Sequence, residues 1–141
     1  MKVHKTNLDK CIVIEPEVFS DHRGFFLETY QQNRYSDLVG INENFIQDNY
    51  SRNKKHVLRG LHFQIKKPQG KLVRVVKGEV YDVAVDIRPN SGTFGKWTSI
   101  ILSEQNKKQF WIPKGFAHGF LVLSDFADFE YKCTDYYDSS D

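Results

Sequence analysis

A guanidinium, an imidazole and an ammonium fall close together in Arg59-Gly60-Leu61-His62-Phe63-Gln64, followed by Gln69-Gly70-Lys71. The stretch reads as a strand, a turn and a second strand. Side chains alternate along a strand, so His62 and Gln64 face one way and Leu61 and Phe63 the other. The apolar pair then packs to one side, and the imidazole is presented to a concavity. A free imidazole has a pKa of ~6.5, close to working pH, which suits a general base. A fixed cation beside it can hold an oxyanion. Together these groups fit removal of a proton next to a carbonyl. Taken alone, His62 would be a sheet histidine with a hydrogen-bond partner, and Lys71 a solvated edge. Arg59 and Lys71 favour the base, because a lysine facing inward from a strand is rarely tolerated without a partner.

Three further groups could join that chemistry. In Trp111-Ile112-Pro113-Lys114-Gly115-Phe116-Ala117-His118-Gly119-Phe120 a tight turn delivers His118 at the start of a strand. His62 and His118 could be half of a zinc or iron site. The position two after His62 is Gln64, no Glu follows before Lys71, and an ammonium opposes a divalent cation, so no metal is expected. Tyr131 shares a strand face with Phe129 and Cys133, and a tyrosine hydroxyl at the rim of an apolar pocket can donate a proton. Packing alone would also explain Tyr131. The last group is Asp21, Arg23, Glu28, Gln47, Asp48 and Asn49. Such residues usually decorate turns, but Arg23 and Arg59 could grip a phosphate bidentately. Gln47 and Asn49 share a strand face and could hydrogen-bond a base or a sugar. No glycine-rich phosphate loop of the nucleotide folds is present.

The elements that would carry these groups are short. Cys11–Ile14, Gly24–Tyr30, Phe45–Tyr50, Val57–Gln64, Lys71–Val76, Glu79–Ile87, Trp97–Leu102, Lys108–Ile112, His118–Leu123 and Ala127–Thr134 read as extended or strand segments. Asp21–Gly24, Lys77-Gly78, Arg88–Gly95, Glu104–Asn106 and Pro113–Gly115 read as turns, and Ser51–Lys55 as a polar loop. On Glu79–Ile87, Val83 and Val85 alternate with Asp82, Ala84 and Asp86. One helix is predicted over Gln31–Val39, with Gly40 as its stop. Many short strands with frequent turns predict an all-β sandwich or barrel. The high aromatic content, 14% with eleven Phe and seven Tyr, agrees.

The 141 residues predict a single domain over 1–141. A net charge of +2 is too small for general nucleic-acid binding, and the basic residues suit a small anion better. Cys11 and Cys133 lie far apart in apolar runs and are expected as buried free thiols. Met1–Lys10 is polar and does not resemble a signal peptide, and no apolar run is long enough for a bilayer. A reducing, cytoplasmic setting is expected.

Eight segments, in order, resemble the dTDP-4-dehydrorhamnose 3,5-epimerase family of the cupin superfamily. They are Phe19–Glu28, Gln47–Ser51, Val57–Gln64, Gln69–Arg74, Gly78–Arg88, Ser91–Trp97, Trp111–Leu123 and Tyr131–Tyr137. The resemblance implies a cupin-type jelly roll with one short helix in the N-terminal third. It implies a cofactor-independent epimerase of a dTDP-linked 4-keto-6-deoxyhexose, acting at C3 and C5 on the route to dTDP-L-rhamnose and cell-surface polysaccharide. By resemblance His62 is the base, Tyr131 the acid on the opposite face, and Lys71 the group that stabilises the enolate. Arg23, Glu28, Gln47, Asp48, Asn49, Arg59, Lys71 and His118 correspond to substrate-binding positions, and Phe26 and Tyr136 could pack on thymine or sugar. The resemblance also implies a homodimer with exchanged N-terminal strands. The family's carboxylate partner for the catalytic histidine lies in a C-terminal segment beyond Asp141, and Asp138 and Asp141 do not match it. Relative to the family the chain is therefore expected to be short at its C-terminus, and the alternatives are a catalytically impaired nucleotide-sugar-binding fragment, or a mono-epimerase or keto-isomerase of the same substrate class.

Overall fold

A computed structural model describes residues 1–141. Six strands form one sheet in the order β1 (Lys2–Lys5), β2 (Ile12–Glu15), β10 (Gln109–Ile112), β7 (Lys71–Lys77), β12 (Phe126–Cys133) and β5 (Gln47–Lys54). Four form a second sheet in the order β6 (Leu58–His62), β11 (Phe116–Val122), β8 (Glu79–Asp86) and β9 (Trp97–Ser103). A separate hairpin joins β3 (Val18–Asp21) to β4 (Gly24–Leu27). The strand pairs are antiparallel throughout.

The two large sheets pack face to face, as an antiparallel jelly roll does. Val73, Phe110 and Phe129 from the six-stranded sheet meet Val80, Leu102 and Phe120 from the four-stranded one. Full burial of a side chain such as Phe129 stabilises the fold by about 1.5–3 kcal/mol. A smaller cluster of Ile14, Tyr35, Leu72 and Trp111 ties helix α1 (Gln32–Val39) to the six-stranded sheet. The helix stands where the sequence predicts it. The Gln31 side chain caps its start, and Gly40, at φ 84°, ends it with its amide bonded to the Ser36 carbonyl. Cys11 and Cys133 are buried free thiols.

Several predicted boundaries shift. Ser51–Lys55 is not a loop, because β5 runs through Lys54 and pairs with β12 from Cys133↔Gln47 to Phe126↔Lys54. Its inward side chains are Gln47, Asn49, Ser51 and Asn53, so it lacks the apolar alternation that marks a core strand. β1 and β3 are polar or exposed and give no such signal either. β6 stops at His62, which leaves Phe63 and Gln64 in the following loop. Leu61 and Phe63 do not pack away in a core; both are about half exposed. β11 begins at Phe116, so His118 sits within the strand and not at its start. On β8 the buried side is the one carrying Asp82 and Asp86. Each carboxylate has a partner that permits this: His118 for Asp82, and Arg88, Ser91 and Thr93 for Asp86.

β6 and β11 approach closely where their register slips, between His118 and Phe120. A Cβ on Gly60 would stand 2.5 Å from the His118 carbonyl oxygen and 2.8 Å from Gly119 Cα, at a φ of +96°. Gly60→Ala must push the strands apart, and a loss of about 1–3 kcal/mol is expected. Urea unfolding checks this, and an unchanged midpoint would contradict so close an approach.

Candidate active site

β5 and β6 are edge strands of the two sheets, joined by a short turn, and a cleft opens between the sheets beside them. One lobe, of about 460 Å³, is lined by Gln47, Asn49, His62, Lys71, Tyr131 and Tyr137, among others. A second, of about 180 Å³, adds Arg59, His118 and Phe129. Asn49, His62, Lys71 and Tyr131 line both, so the lobes form one continuous site. A larger hollow of about 570 Å³ lies between α1 and the β1–β2 turn, lined by Lys5, Asp9, Glu43 and Trp111, but no histidine or tyrosine lines it.

His62 ends β6 and points its ring into the cleft. Its pKa is lowered by partial burial first, then by Lys71, His118 and Arg59. Each influence disfavours the imidazolium, so the ring is kept ready to accept a proton. No carboxylate of this chain bonds it. Asp141 lines the cleft, but its oxygens accept from the Ile65 and Lys67 amides.

Lys71 opens β7, and its Nζ lies 5.7 Å from the centroid of the Tyr131 ring. Burial lowers its pKa, while Cys133 and Asp82 act in the opposite sense. It forms no ion pair, so the ammonium is free to meet negative charge in the cleft. Tyr131 projects from β12, and burial is the first cause that raises its pKa, which keeps the phenol protonated. Arg59 on β6 is steered by its Nε, which donates to Asn53 Oδ1 across the cleft's edge. The Gln47 amide donates to Asn49 Oδ1 at 3.1 Å, and Asn49 Nδ2 reaches Cys133 Sγ at 3.7 Å. His118 Nε2 meets Asp82 at 2.9 Å. Nowhere do three His, Cys, Asp or Glu side chains converge as metal ligands.

The structure thus brings together His62, Lys71, Tyr131, Gln47, Asn49, Arg59 and His118. It does not bring in the others. Asp48 points to the opposite face of β5, where Lys132 pairs with it at 3.1 Å. Arg23 and Phe26 lie on the β3–β4 hairpin, which pairs with neither large sheet. Arg23 bonds Asp21, Phe26 is 68% exposed, and Glu28 pairs with Arg34 at 2.6 Å. Tyr136 points to solvent, and its neighbour Tyr137 lines the cleft instead. Sequence reasoning missed Tyr137, Asn53 and Asp82. For Asp82 the alternation along β8 was visible, but nothing in it told which side was buried.

An antiparallel jelly roll with an imidazole, a free ammonium and a phenol lining one cleft has the parts of a cupin-type enzyme that moves protons. A family profile described as dTDP-4-dehydrorhamnose 3,5-epimerase matches residues 5–141. The chain is 56% identical over 138 residues to the dTDP-4-dehydrorhamnose 3,5-epimerase of Escherichia coli K12, covering 97% of this chain and 75% of that protein. It superposes with a TM-score of 0.97 and 59% identity on the dTDP-6-deoxy-D-glucose-3,5-epimerase of Legionella pneumophila in complex with dTDP-4-keto-L-rhamnose, over 99% of this chain and 74% of that one. The Bacillus anthracis dTDP-4-dehydrorhamnose 3,5-epimerase, with TDP and pyrophosphate bound, gives a TM-score of 0.95 at 42% identity, over 99% and 80% of the two chains. This chain belongs to the dTDP-4-dehydrorhamnose 3,5-epimerase family.

Proposed function

We propose that this chain converts dTDP-4-dehydro-6-deoxy-D-glucose to dTDP-4-dehydro-L-rhamnose, inverting C3 and C5, as a step towards dTDP-L-rhamnose. The observation that carries the proposal is that His62 and Tyr131 enter one cleft from opposite sheets, with Lys71 beside the tyrosine. The C4 ketone acidifies the protons on both neighbouring carbons. His62 takes one of them, and the electron pair moves onto the C4 oxygen as an enolate. Lys71 stabilises that charge in a site partly shielded from water. Tyr131 then protonates the carbon from the other face, which inverts it. Each inversion leaves His62 with a proton and Tyr131 without one, so both must re-equilibrate with solvent before the next. No redox cofactor is required by this sequence.

Arg59 suits the diphosphate, Gln47 and Asn49 the nucleoside or sugar, and His118 the sugar. Residues 1–141 act as one domain in this account. Arg23, Phe26 and Glu28 reach a cleft only if the β3–β4 hairpin is exchanged between two copies in a homodimer. The exposed Phe19, Phe25 and Phe26 on that hairpin, and Leu58 and Leu61 on the β6 edge, support such an exchange. Tyr136 would pack on the ligand in the same assembly. No helix is long and apolar enough to cross a membrane; a nucleotide-sugar substrate supports a cytoplasmic setting.

The test is the stereochemistry of the product by NMR. Inversion at both C3 and C5 is expected; inversion at one carbon would make the chain a mono-epimerase, and no inversion would refute the proposal. Two further results are expected. Asn53→Ala frees the Arg59 guanidinium from its only side-chain partner, and dTDP affinity by calorimetry should fall about tenfold. Turnover should also carry the shifted pKa values. The base works unprotonated and its pKa is lowered, so the acid limb lies below 6.5. On the alkaline side turnover falls as Lys71, its pKa lowered from 10.5 by burial, loses its charge, or as Tyr131, its pKa raised from 10.0 by burial, loses its proton. A pH–rate profile with its acid limb above 6.5 would contradict this reading.

A further inference from the structure

One ionisable group near the cleft has no part in the chemistry so far. Asp82, on β8, is fully buried. Both of its oxygens lie 2.9 Å from His118 Nε2, and that ring nitrogen is its sole hydrogen-bond partner. His118 is held flat against Phe129, with ring centroids 6.0 Å apart and planes at 21°. Its other nitrogen, Nδ1, bonds nothing in the chain, yet no buried side-chain nitrogen lacks a partner. Nδ1 therefore reaches the open cleft, which His118 lines. Across the β6–β11 pairing His118 stands opposite His62.

Burial raises the Asp82 pKa, and His118 and Lys71 oppose it; with both oxygens on the one ring nitrogen, the ionised carboxylate accepts, and Nε2 carries the proton. The cleft-facing Nδ1 is then a bare acceptor. Its neighbours there are of the other kind. Arg59 and Lys71 only donate, Tyr131 must keep its proton for carbon, and His62 must stay free to take one. His118 Nδ1 is thus an acceptor on this wall available to a donating hydroxyl.

We propose that Asp82 is a positioning residue: it fixes His118 as the Nε2–H tautomer, so that Nδ1 accepts a hydrogen bond from a hydroxyl of the bound sugar. The donor's identity rests on the epimerase reading above; the tautomer does not. Without the carboxylate the ring could carry its proton on Nδ1 and present a donor to a donor. The sugar would then sit wrongly against His62 although the nucleotide remained bound.

Nitrogen-15 NMR of histidine-labelled protein tests this without turnover, with dTDP-glucose as an unreactive probe. In the wild type, His118 should show a protonated Nε2 and a bare Nδ1, and the Nδ1 signal should move towards the hydrogen-bonded range when dTDP-glucose is added. Asp82→Asn can donate from its amide to Nε2, so the tautomer should reverse. Turnover should then fall about ten- to a hundredfold, with dTDP affinity within about threefold. A wild-type Nδ1–H tautomer overturns the proposal, as does an Nδ1 signal indifferent to dTDP-glucose. So does an Asp82→Asn protein that is folded, keeps the tautomer and turns over normally. Should Asp82→Asn fail to fold, the wild-type spectra decide alone. A wild type that shows the tautomer and the shift but inverts neither carbon would defeat the epimerase reading and leave this one standing.

Discussion

His62→Ala is expected to lower turnover about 10²–10⁴-fold, the usual contribution of a positioned general base. The ring lines the cleft from the four-stranded sheet and hydrogen-bonds no other side chain. Burial and the nearby Lys71, His118 and Arg59 all hold it in the form that accepts. Alanine removes the acceptor and leaves space that water can occupy, but water lacks both the basicity and the fixed position. The substitution lies at the exposed end of β6, so the core is undisturbed. Initial rates with the keto-sugar, set beside calorimetric dTDP binding, separate the two effects. A large loss of rate with binding retained is expected. A rate within about threefold of the wild type would remove His62 from the chemistry.

Lys71→Met is the second large effect, with a fall in turnover of about 10²–10³-fold expected. Methionine keeps most of the side chain's volume and removes the charge. The lysine is half-buried and has no carboxylate paired to it, so its field is directed at whatever anion forms in the cleft. An enolate exists only during the reaction, so the loss should fall on kcat and less on KM. The alkaline limb of the pH profile should also shift, because one of the two groups that shape it is gone. Lys71→Arg keeps the charge with a bulkier, planar head and should recover part of the rate. Equal losses in Lys71→Arg and Lys71→Met would point to shape, not charge.

How far the sequence foretold this structure follows from what each residue had to do. His62, Lys71 and Tyr131 were legible because base, cation and phenol sat on strand-like segments whose order matched a known family. The core strands β7, β10 and β11 were legible from apolar runs, and α1 from its spacing and Gly40. β5 was only half legible. Its inward residues Gln47, Asn49, Ser51 and Asn53 line a cleft, and polar side chains that face a cleft look like a loop in sequence. β8 was half legible for a related reason: its alternation was visible, but Asp82 and Asp86 are buried by partners far along the chain or in a turn, which alternation alone cannot reveal. Arg23, Phe26 and Glu28 matched the family's positions, yet within one chain they lie away from the cleft. In the exchanged dimer proposed above they would complete a partner's site, which one copy's contacts cannot reveal.

The central claim is that His62 and Tyr131 move protons between solvent and the two carbons flanking the ketone. The most direct test is to incubate dTDP-4-dehydro-6-deoxy-D-glucose with the enzyme in heavy water and read deuterium at C3 and C5 by NMR and mass spectrometry. Deuterium at both carbons with the wild type, and at neither above the uncatalysed background with His62→Ala, is the predicted result. Wild-type product without deuterium, or undiminished exchange by His62→Ala, would contradict the account.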